Sequence, residues 1–399
     1  MKWQKIVKDE QQAQCKSALE AILQELTGKS LADRDLSLFG GLGGEVVFLW
    51  ELGQAYPEMA KQDEVDERLD NIQTFLPGLS HQPAFSGGLS GLGWLFEFLL
   101  QQDEYDGEIN AELELLLQQG LSADWQGEYE FISGLLGYIT FIQRRARGTK
   151  DTSLLRQALQ LLLQHSTLTP DGYAWATSVD SVYSFNKKHP EFNLGLAHGV
   201  PGVIAVLTSV CRHHPALRAE YEPVLASCCH WLMSQTRGES ESGSCYAYSA
   251  CTNGHSRLGW CYGDLSNALI LGRAGKLLND EAVFQFSRQL MLATSKRLYD
   301  DSGVLDAGIC HGSAGISLMY QQAAVLFDAP ELVSVARYWL EHTLARFARD
   351  GLNGFDKYSG ADEAYHPEPG LLEGYTGIGL CLLSALGHSS DWSECLLLQ

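Results

Sequence analysis

The sequence predicts an all-α fold, a double-layered α/α toroid of seven helical hairpin repeats, in a single domain covering residues 1–399. Three observations predict it: a Gly-rich element that recurs seven times, an apolar run after each recurrence, and an amphipathic stretch between one recurrence and the next.

The Gly-rich copies read FGGLGGEVVFLW from Phe39, FSGGLSGLGWLFEFL from Phe85, FISGLLGYITFI from Phe131 and LAHGVPGVIAVL from Leu196. They continue with WCYGDLSNALIL from Trp260, ICHGSAGISLMY from Ile309 and LLEGYTGIGLCLL from Leu371. Aligned on the first glycine of each G-x-x-G, they mark Gly41, Gly88, Gly134, Gly199, Gly263, Gly312 and Gly374, with gaps of 47, 46, 65, 64, 49 and 62 residues. Seven units at that spacing use up the chain. In the fifth copy Ser266 stands in place of the second glycine, a change that bears on packing rather than chemistry.

The runs after the glycines, such as VVFLW, GWLFEFLL and GIGLCLLSAL, are apolar nearly all round, the pattern of helices buried on every side. The stretches between have one polar side. In residues 329–348, Leu332, Ala336, Trp339, Leu340, Leu344 and Phe347 follow the three-and-four spacing of a single buried stripe. Similar stretches begin near Gln14, Glu64, Asn110, Thr152, Arg218 and Glu281. Each unit reads as an amphipathic helix, a loop, a Gly turn and an apolar helix, with amphipathic helices outside and apolar ones inside. No sustained alternation bounded by hairpin turns argues for strands. The glycines let the chain turn tightly and let inner helices approach, a structural role assigned to Gly41, Gly88 and Gly374.

Charge excludes one class of partner. The chain carries 28 basic and 49 acidic residues, a formal net charge of -21, which repels a phosphate backbone, so no nucleic acid partner is expected. No apolar stretch reaches the roughly 18 residues of a transmembrane segment and the N-terminus has no uninterrupted apolar core, so a soluble, cytoplasmic protein is expected. Ten cysteines are too sparse for a disulfide scaffold and remain available as core filler, ligands or nucleophiles.

Chemistry enters where the repeats stop being equivalent. Just before the marked glycines of the fourth, fifth and sixth copies stand His198, Cys261 with Tyr262, and Cys310 with His311. If the repeats close on themselves, the Gly turns gather at one end and these side chains converge. Two thiolates and an imidazole form a soft donor set for Zn²⁺ and leave a fourth tetrahedral position open for chemistry. A single buried cysteine is more often core packing; the shared repeat phase is what separates Cys261 and Cys310 from the rest. Cys15, Cys211, Cys228, Cys229, Cys381 and Cys395 lack that phase and are assigned to core or surface. Cys245 and Cys251 sit in a polar Gly/Ser loop, as a structural pair, a redox accident or neither. His81, His165 and His342 read as ordinary surface or core residues.

The motifs LAHG at 196–199, RLGWCYG at 257–263 and CHG at 310–312, ordered on a sevenfold Gly-marked repeat, resemble the lanthionine synthetase C-like cyclases across the whole chain. The resemblance implies an α/α toroid whose zinc is held by Cys261, Cys310 and His311, with water at the fourth site until a substrate cysteine replaces it. It implies active-site roles for His198, Arg257 and Tyr262, and for an acidic residue four before the glycine of the third repeat. The family usually has Asp there; this chain has Glu130. The implied substrate is a dehydrated precursor peptide, in which cysteine thiolates add to dehydroalanine or dehydrobutyrine to make lanthionine or methyllanthionine; a lanthipeptide dehydratase is the implied partner. His198 then serves as the acid that protonates the α-carbon, Glu130 orients or charges it, and Arg257 faces the enolate or the substrate backbone.

Three other readings fit some of the same residues. The pocket could present a small thiol such as glutathione to dehydrated residues. A helical-toroid glycosidase would draw on Asp362, Glu363, Glu368 and Glu373 as paired carboxylates. A non-catalytic peptide-binding module would keep the toroid and a structural zinc.

Overall fold

In a computed structural model of the protein, residues 3–79, 83–100, 108–121, 125–148, 151–238 and 243–399 are described, and His81 lies outside them. Along the chain run α1 (Gln12–Leu26), α2 (Leu42–Ala55), α3 (Gln62–Phe75), α4 (Leu89–Leu100), α5 (Glu108–Gly120), α6 (Leu135–Arg145) and α7 (Ser153–Gln164). They continue with α8 (Val200–His213), α9 (Pro215–Ser234), α10 (Asp264–Leu278), α11 (Glu281–Thr294), the short α12 (Tyr299–Ser302), α13 (Ser313–Leu326), α14 (Glu331–Asp350) and α15 (Tyr375–Ala385).

Each marked glycine is followed at the very next residue by a helix, namely α2, α4, α6, α8, α10, α13 and α15. The cause is a recurrent backbone capture. The N–H that opens the helix donates to a carbonyl seven residues upstream: Leu42 to Asp35 at 2.8 Å, Leu135 to Glu128 at 3.0 Å, Val200 to Asn193 at 3.1 Å, Ser313 to Asp306 at 3.1 Å and Tyr375 to Glu368 at 2.8 Å. This satisfies one of the donors a helix N-terminus leaves open.

The same carbonyl explains the glycine. A Cβ would fall 2.0 Å from the Asp35 oxygen at Gly41, 2.3 Å from that of Glu128 at Gly134, 2.2 Å from that of Asn193 at Gly199 and 1.9 Å from that of Glu368 at Gly374. Their φ angles, -135°, -111°, -138° and -127°, are open to any residue, so close backbone approach rather than left-handed geometry demands glycine. Gly263 is the exception: its φ of +106° is one that side chains rarely adopt.

Two small antiparallel hairpins depart from the strand-free expectation. Strand β1 (Ser166–Thr169) pairs with β2 (Gly172–Trp175), Ser166 opposite Trp175, and β3 (Lys357–Ser359) pairs with β4 (Ala364–His366), Lys357 opposite His366. Strands of three or four residues are too short to show sustained alternation. The T-P-D-G turn at 169–172 was their one clear sequence signal.

The packing gathers the described residues into two compact units. In the unit made of Met1–Leu79, Leu258–Trp260 and Leu298–Trp392, the apolar helices α13, α15 and α2 pack in succession, with α14 behind α13, α1 behind α15 and α3 behind α2. In the unit made of Ser80–Arg257, Cys261–Arg297 and Ser393–Gln399, α4, α6, α8 and α10 pack in succession, backed by α5, α7, α9 and α11. Except at α15, which α1 backs, an apolar helix thus pairs with the amphipathic helix that follows it. The connections decide this: α8 and α9 are joined through His214 alone and α10 and α11 through two residues, and such short links force antiparallel neighbours. No helix among the described residues is long and apolar enough to cross a membrane.

Candidate metal centre and active site

The loops that carry the marked glycines hydrogen-bond to one another through their backbones. In the second unit, Phe85 and Ser86 donate to the Ile132 carbonyl at 3.1 Å each, Phe131 to that of Ala197 at 3.2 Å, and Ala197 to that of Cys261 at 3.4 Å. In the first unit, Trp260 donates to the Cys310 carbonyl at 2.7 Å, Ile309 and Cys310 to that of Leu372 at 3.1 and 3.0 Å, and Leu371 and Leu372 to that of Phe39 at 2.8 and 3.1 Å. The acceptor is in every case the second residue before a marked glycine. Cys261 and Cys310 are therefore successive occupants of one register position.

Trp260 is bonded to Cys310, and Cys261 is the next residue in the chain. Accordingly, the two thiol sulfurs and a ring nitrogen of His311 lie within 4.8 Å of one another, a group able to hold a metal ion. A zinc with tetrahedral ligands and Zn–S bonds of about 2.3 Å separates two thiolates by about 3.8 Å, so the spread suits the ion. His311 Nδ1 is buried and has no hydrogen-bond partner among the described residues, while Nε2 faces Asp306 Oδ2 at 4.0 Å. A buried nitrogen left unpaired costs about 1–3 kcal/mol, and coordination to a cation would remove that cost. Asp306 is itself fixed, accepting from Gly308 N at 3.1 Å and Tyr358 N at 3.2 Å. Gly259 leaves room for the pair of ligands: a Cβ there would fall 3.0 Å from the Cys310 carbonyl and 3.2 Å from His311 Cβ.

The remaining cysteines are of another kind. Burial pushes the thiols of Cys15 and Cys211 up to about 12 and those of Cys228, Cys229, Cys381 and Cys395 well above the ordinary range. They are core side chains. Cys245 and Cys251 are not joined in a disulfide, which removes the structural-pair reading; Cys251 Sγ donates to Glu191 Oε2 at 2.6 Å.

In the second unit His198 donates from Nδ1 to Glu130 Oε2 at 2.8 Å. A carboxylate can only accept, so the proton sits on Nδ1, and Nε2 meets no hydrogen-bond partner among the described residues. Glu130 is 1% exposed and held from its own loop: Ile132 N donates to Oε2 at 2.9 Å, and Ser133 N and Oγ both donate to Oε1 at 2.6 Å. The extra methylene of glutamate is thus absorbed in a turn that caps the start of α6, and the carboxylate still reaches the imidazole.

Tyr262 packs flat against Gly195, where a Cβ would strike its ring at 2.5 Å, and its hydroxyl accepts from Asn193 Nδ2 at 3.0 Å. Burial pushes its phenol up, with the nearby Cys261, Glu130 and Glu191 adding to the effect, so it stays protonated at neutral pH. Arg257 donates its backbone N–H to Tyr248 Oη at 3.3 Å, while its buried Nε has no hydrogen-bond partner among the described residues. A guanidinium with an unused buried donor is equipped to receive an oxygen.

Several residues of this region escaped the sequence. Tyr183 stacks on the His198 ring at 3.6 Å between centroids and 18° between planes. Tyr248 and Phe185 set their rings against Tyr262 at 5.2 and 5.8 Å. All three belong to irregular loops with no repeat phase, and only the aromatic density of the segment around 183–185 could have drawn attention to them. The carboxylates of the glycosidase reading are dispersed in role: Asp362 pairs with His366 on an exposed hairpin, Glu363 occupies that hairpin's turn, Glu368 accepts from Gly370 N, and Glu373 pairs with Lys357.

Comparison with known proteins places this geometry. Residues 32–397 match the family described as "Lanthionine synthetase C-like protein". Among solved structures, nisin cyclase is similar to 98% of this chain over 98% of its own, at 18% identity and a TM-score of 0.71. A sugar epimerase from a ruminal bacterium covers 94% of this chain and 99% of its own at 13% identity, with a TM-score of 0.47. No curated protein matches the chain. The likeness to nisin cyclase carries the fold, the all-α, double-layered toroid of helical hairpins expected from the repeats. With nearly the whole sequence inside the family match, the chain belongs to the lanthionine synthetase C-like protein family.

Proposed function

We propose that the protein is a zinc-dependent lanthionine and methyllanthionine cyclase acting on a dehydrated precursor peptide, with Cys261, Cys310 and His311 as the zinc ligands and His198, Glu130, Arg257 and Tyr262 as catalytic residues. The family match over residues 32–397 supports the reaction class, and also the reading of the chain as one domain. The observation that carries the reading is the soft three-donor cluster with its unpaired buried imidazole nitrogen. A bound zinc would supply Lewis acidity, keeping a substrate thiol as thiolate at neutral pH.

The chain's own residues account for the rest of the reaction. As the C–S bond forms at the β-carbon of the dehydrated residue, the alkene electrons move onto the adjacent amide oxygen as an enolate. Arg257, always cationic and with an unused donor, suits that oxygen. The α-carbon then takes one proton, and the thiol has lost one, so the addition is balanced without a redox partner. His198, with Nδ1 tied to Glu130, offers Nε2 for the proton delivery, and Glu130 stabilises the imidazolium before it discharges. Tyr262, neutral and held by Asn193, can donate to the same oxygen.

A dehydratase is the implied source of the substrate. Ring closure changes no mass, so the test counts free thiols: the peptide is alkylated after incubation and weighed. Loss of alkylatable cysteines at unchanged peptide mass, dependent on one zinc per chain, supports the cyclase. A gain of the full mass of added glutathione with the peptide thiols retained identifies a small-thiol adder instead.

Glu130→Gln tests the dyad. It keeps the side chain's length but removes the charge that supports His198, and turnover is expected to fall by about 10²-fold, within the ~10²–10⁴ that general acid–base groups contribute. Zinc content should stay at the wild-type level. Unchanged turnover would place the acidic partner of His198 elsewhere.

A further inference from the structure

The loop between β2 and α8 closes on itself over the imidazole. Thr177 N donates to the Glu191 carbonyl at 2.6 Å and Glu191 N returns the bond to Thr177 at 3.2 Å, pinching residues 177–191 into a compact surface loop. Inside the pinch, Phe185 N is held by Glu191 Oε1, Lys187 Nζ donates to the Ser181 carbonyl at 2.6 Å, and Ser184 Oγ donates to the Asn186 carbonyl at 2.8 Å. The loop is built rather than slack.

Its product is the placement of Tyr183, which two contacts fix. The ring lies parallel to His198 at 3.6 Å. The backbone carbonyl accepts from Asn193 Nδ2 at 3.3 Å, the same amide that donates to the Tyr262 hydroxyl. Tyr183 therefore touches His198 by its face and shares the Asn193 amide with Tyr262.

A hydrogen bond at Nδ1 alone leaves the imidazole free to swing about that bond and exposes both faces to water. A ring stacked on one face restrains the swing and shields that face, leaving the Nε2 edge unengaged. We propose that Tyr183 is a positioning residue for His198, holding the ring plane so that Nε2 presents its proton in one direction. The proposal rests on the cyclase reading for its consequence in turnover, but the placement of the ring is testable without any substrate.

The experiment uses the full chain with isotope-labelled histidine, as wild type, Tyr183→Phe and Tyr183→Leu, with the His198 signals identified by their absence in His198→Gln. In Tyr183→Phe the stack persists, and the His198 ring resonances should stay close to wild type. In Tyr183→Leu the ring-current displacement is lost and the His198 ring resonances move. On a dehydrated peptide, Tyr183→Leu should lower kcat about tenfold, less than the ~10²–10⁴ of the acid itself, with KM and zinc per chain unchanged, and Tyr183→Phe should stay within about twofold of wild type.

His198 resonances that superimpose in wild type and Tyr183→Leu would overturn the proposal. Should the leucine variant not fold, Tyr183→Ala, which removes the same stack, must displace the same resonances or the proposal fails. A His198→Gln protein that closes rings at the wild-type rate would sink the cyclase role of His198, and the resonance comparison would still decide the position of Tyr183.

Discussion

Cys310→Ala is expected to empty the metal centre and stop ring closure together while the helical fold persists. Losing one of three protein donors should weaken zinc binding by more than the ~10–100-fold that changes outside the ligand shell cost. The chemistry fails for a separable reason. A free thiol with a pKa near 8.5 is only about 3% thiolate at pH 7, so the nucleophile's concentration alone drops by about thirtyfold, before any loss of positioning. The residual rate should then climb with pH toward 8.5, whereas the wild-type rate should not depend on free-thiol ionisation over that range. Zinc per chain by elemental mass spectrometry, circular dichroism and thiol counting at pH 6.5 to 8.5 check the three parts. One zinc per chain and full turnover in the variant would remove Cys310 from the ligand set.

Gly374→Ala should be strongly destabilising although it adds a single methyl group. The added carbon would sit 1.9 Å from the Glu368 carbonyl oxygen and 2.6 Å from its carbon, backbone atoms that already hold the first N–H of α15. Relief requires opening the turn, with an expected loss of about 3 kcal/mol. Gly87→Ala is the matched control: it lies beside a marked glycine, yet nothing among the described residues stands within 4 Å of its Cβ position. It should be neutral or gain up to about 1 kcal/mol from the reduced freedom of the unfolded chain. Urea midpoints of the two variants measure the contrast, and equal midpoints would mean that the turn yields more easily than its geometry suggests.

These two experiments separate what the sequence could and could not disclose. The Gly marks were legible because at Gly41, Gly134, Gly199, Gly263 and Gly374 a backbone carbonyl six residues upstream stands where a Cβ would go, and a steric demand repeated at that fixed offset leaves a repeat in the letters. Cys261, Cys310, His311 and His198 stood out for the same reason, since their places are defined by that offset. The partner of each apolar helix was read one step out of phase, because periodicity marks helices and not the turn lengths that choose their neighbours. Tyr183 and Asn193 were invisible. Their contacts join loops far apart in sequence, and no spacing rule links 183 to 198 or 193 to 262. Likewise β1 and β2 were too short for alternation to speak, although Asp171 and Gly172 mark their turn.

The backbone bonding between successive Gly loops has a bearing on how such a site could change over time. Every bond in it joins main-chain atoms, so the address of a residue beside a marked glycine is fixed whatever side chain is installed there. His198, Tyr262, His311 and Glu373 share the position directly before the glycine with Gly40, Gly87 and Ser133. Scaffold and reagents are inherited separately: the glycines are not negotiable, whereas the neighbouring letters can be exchanged one codon at a time. A lineage can therefore rewrite its chemistry at these addresses without first relearning how to fold.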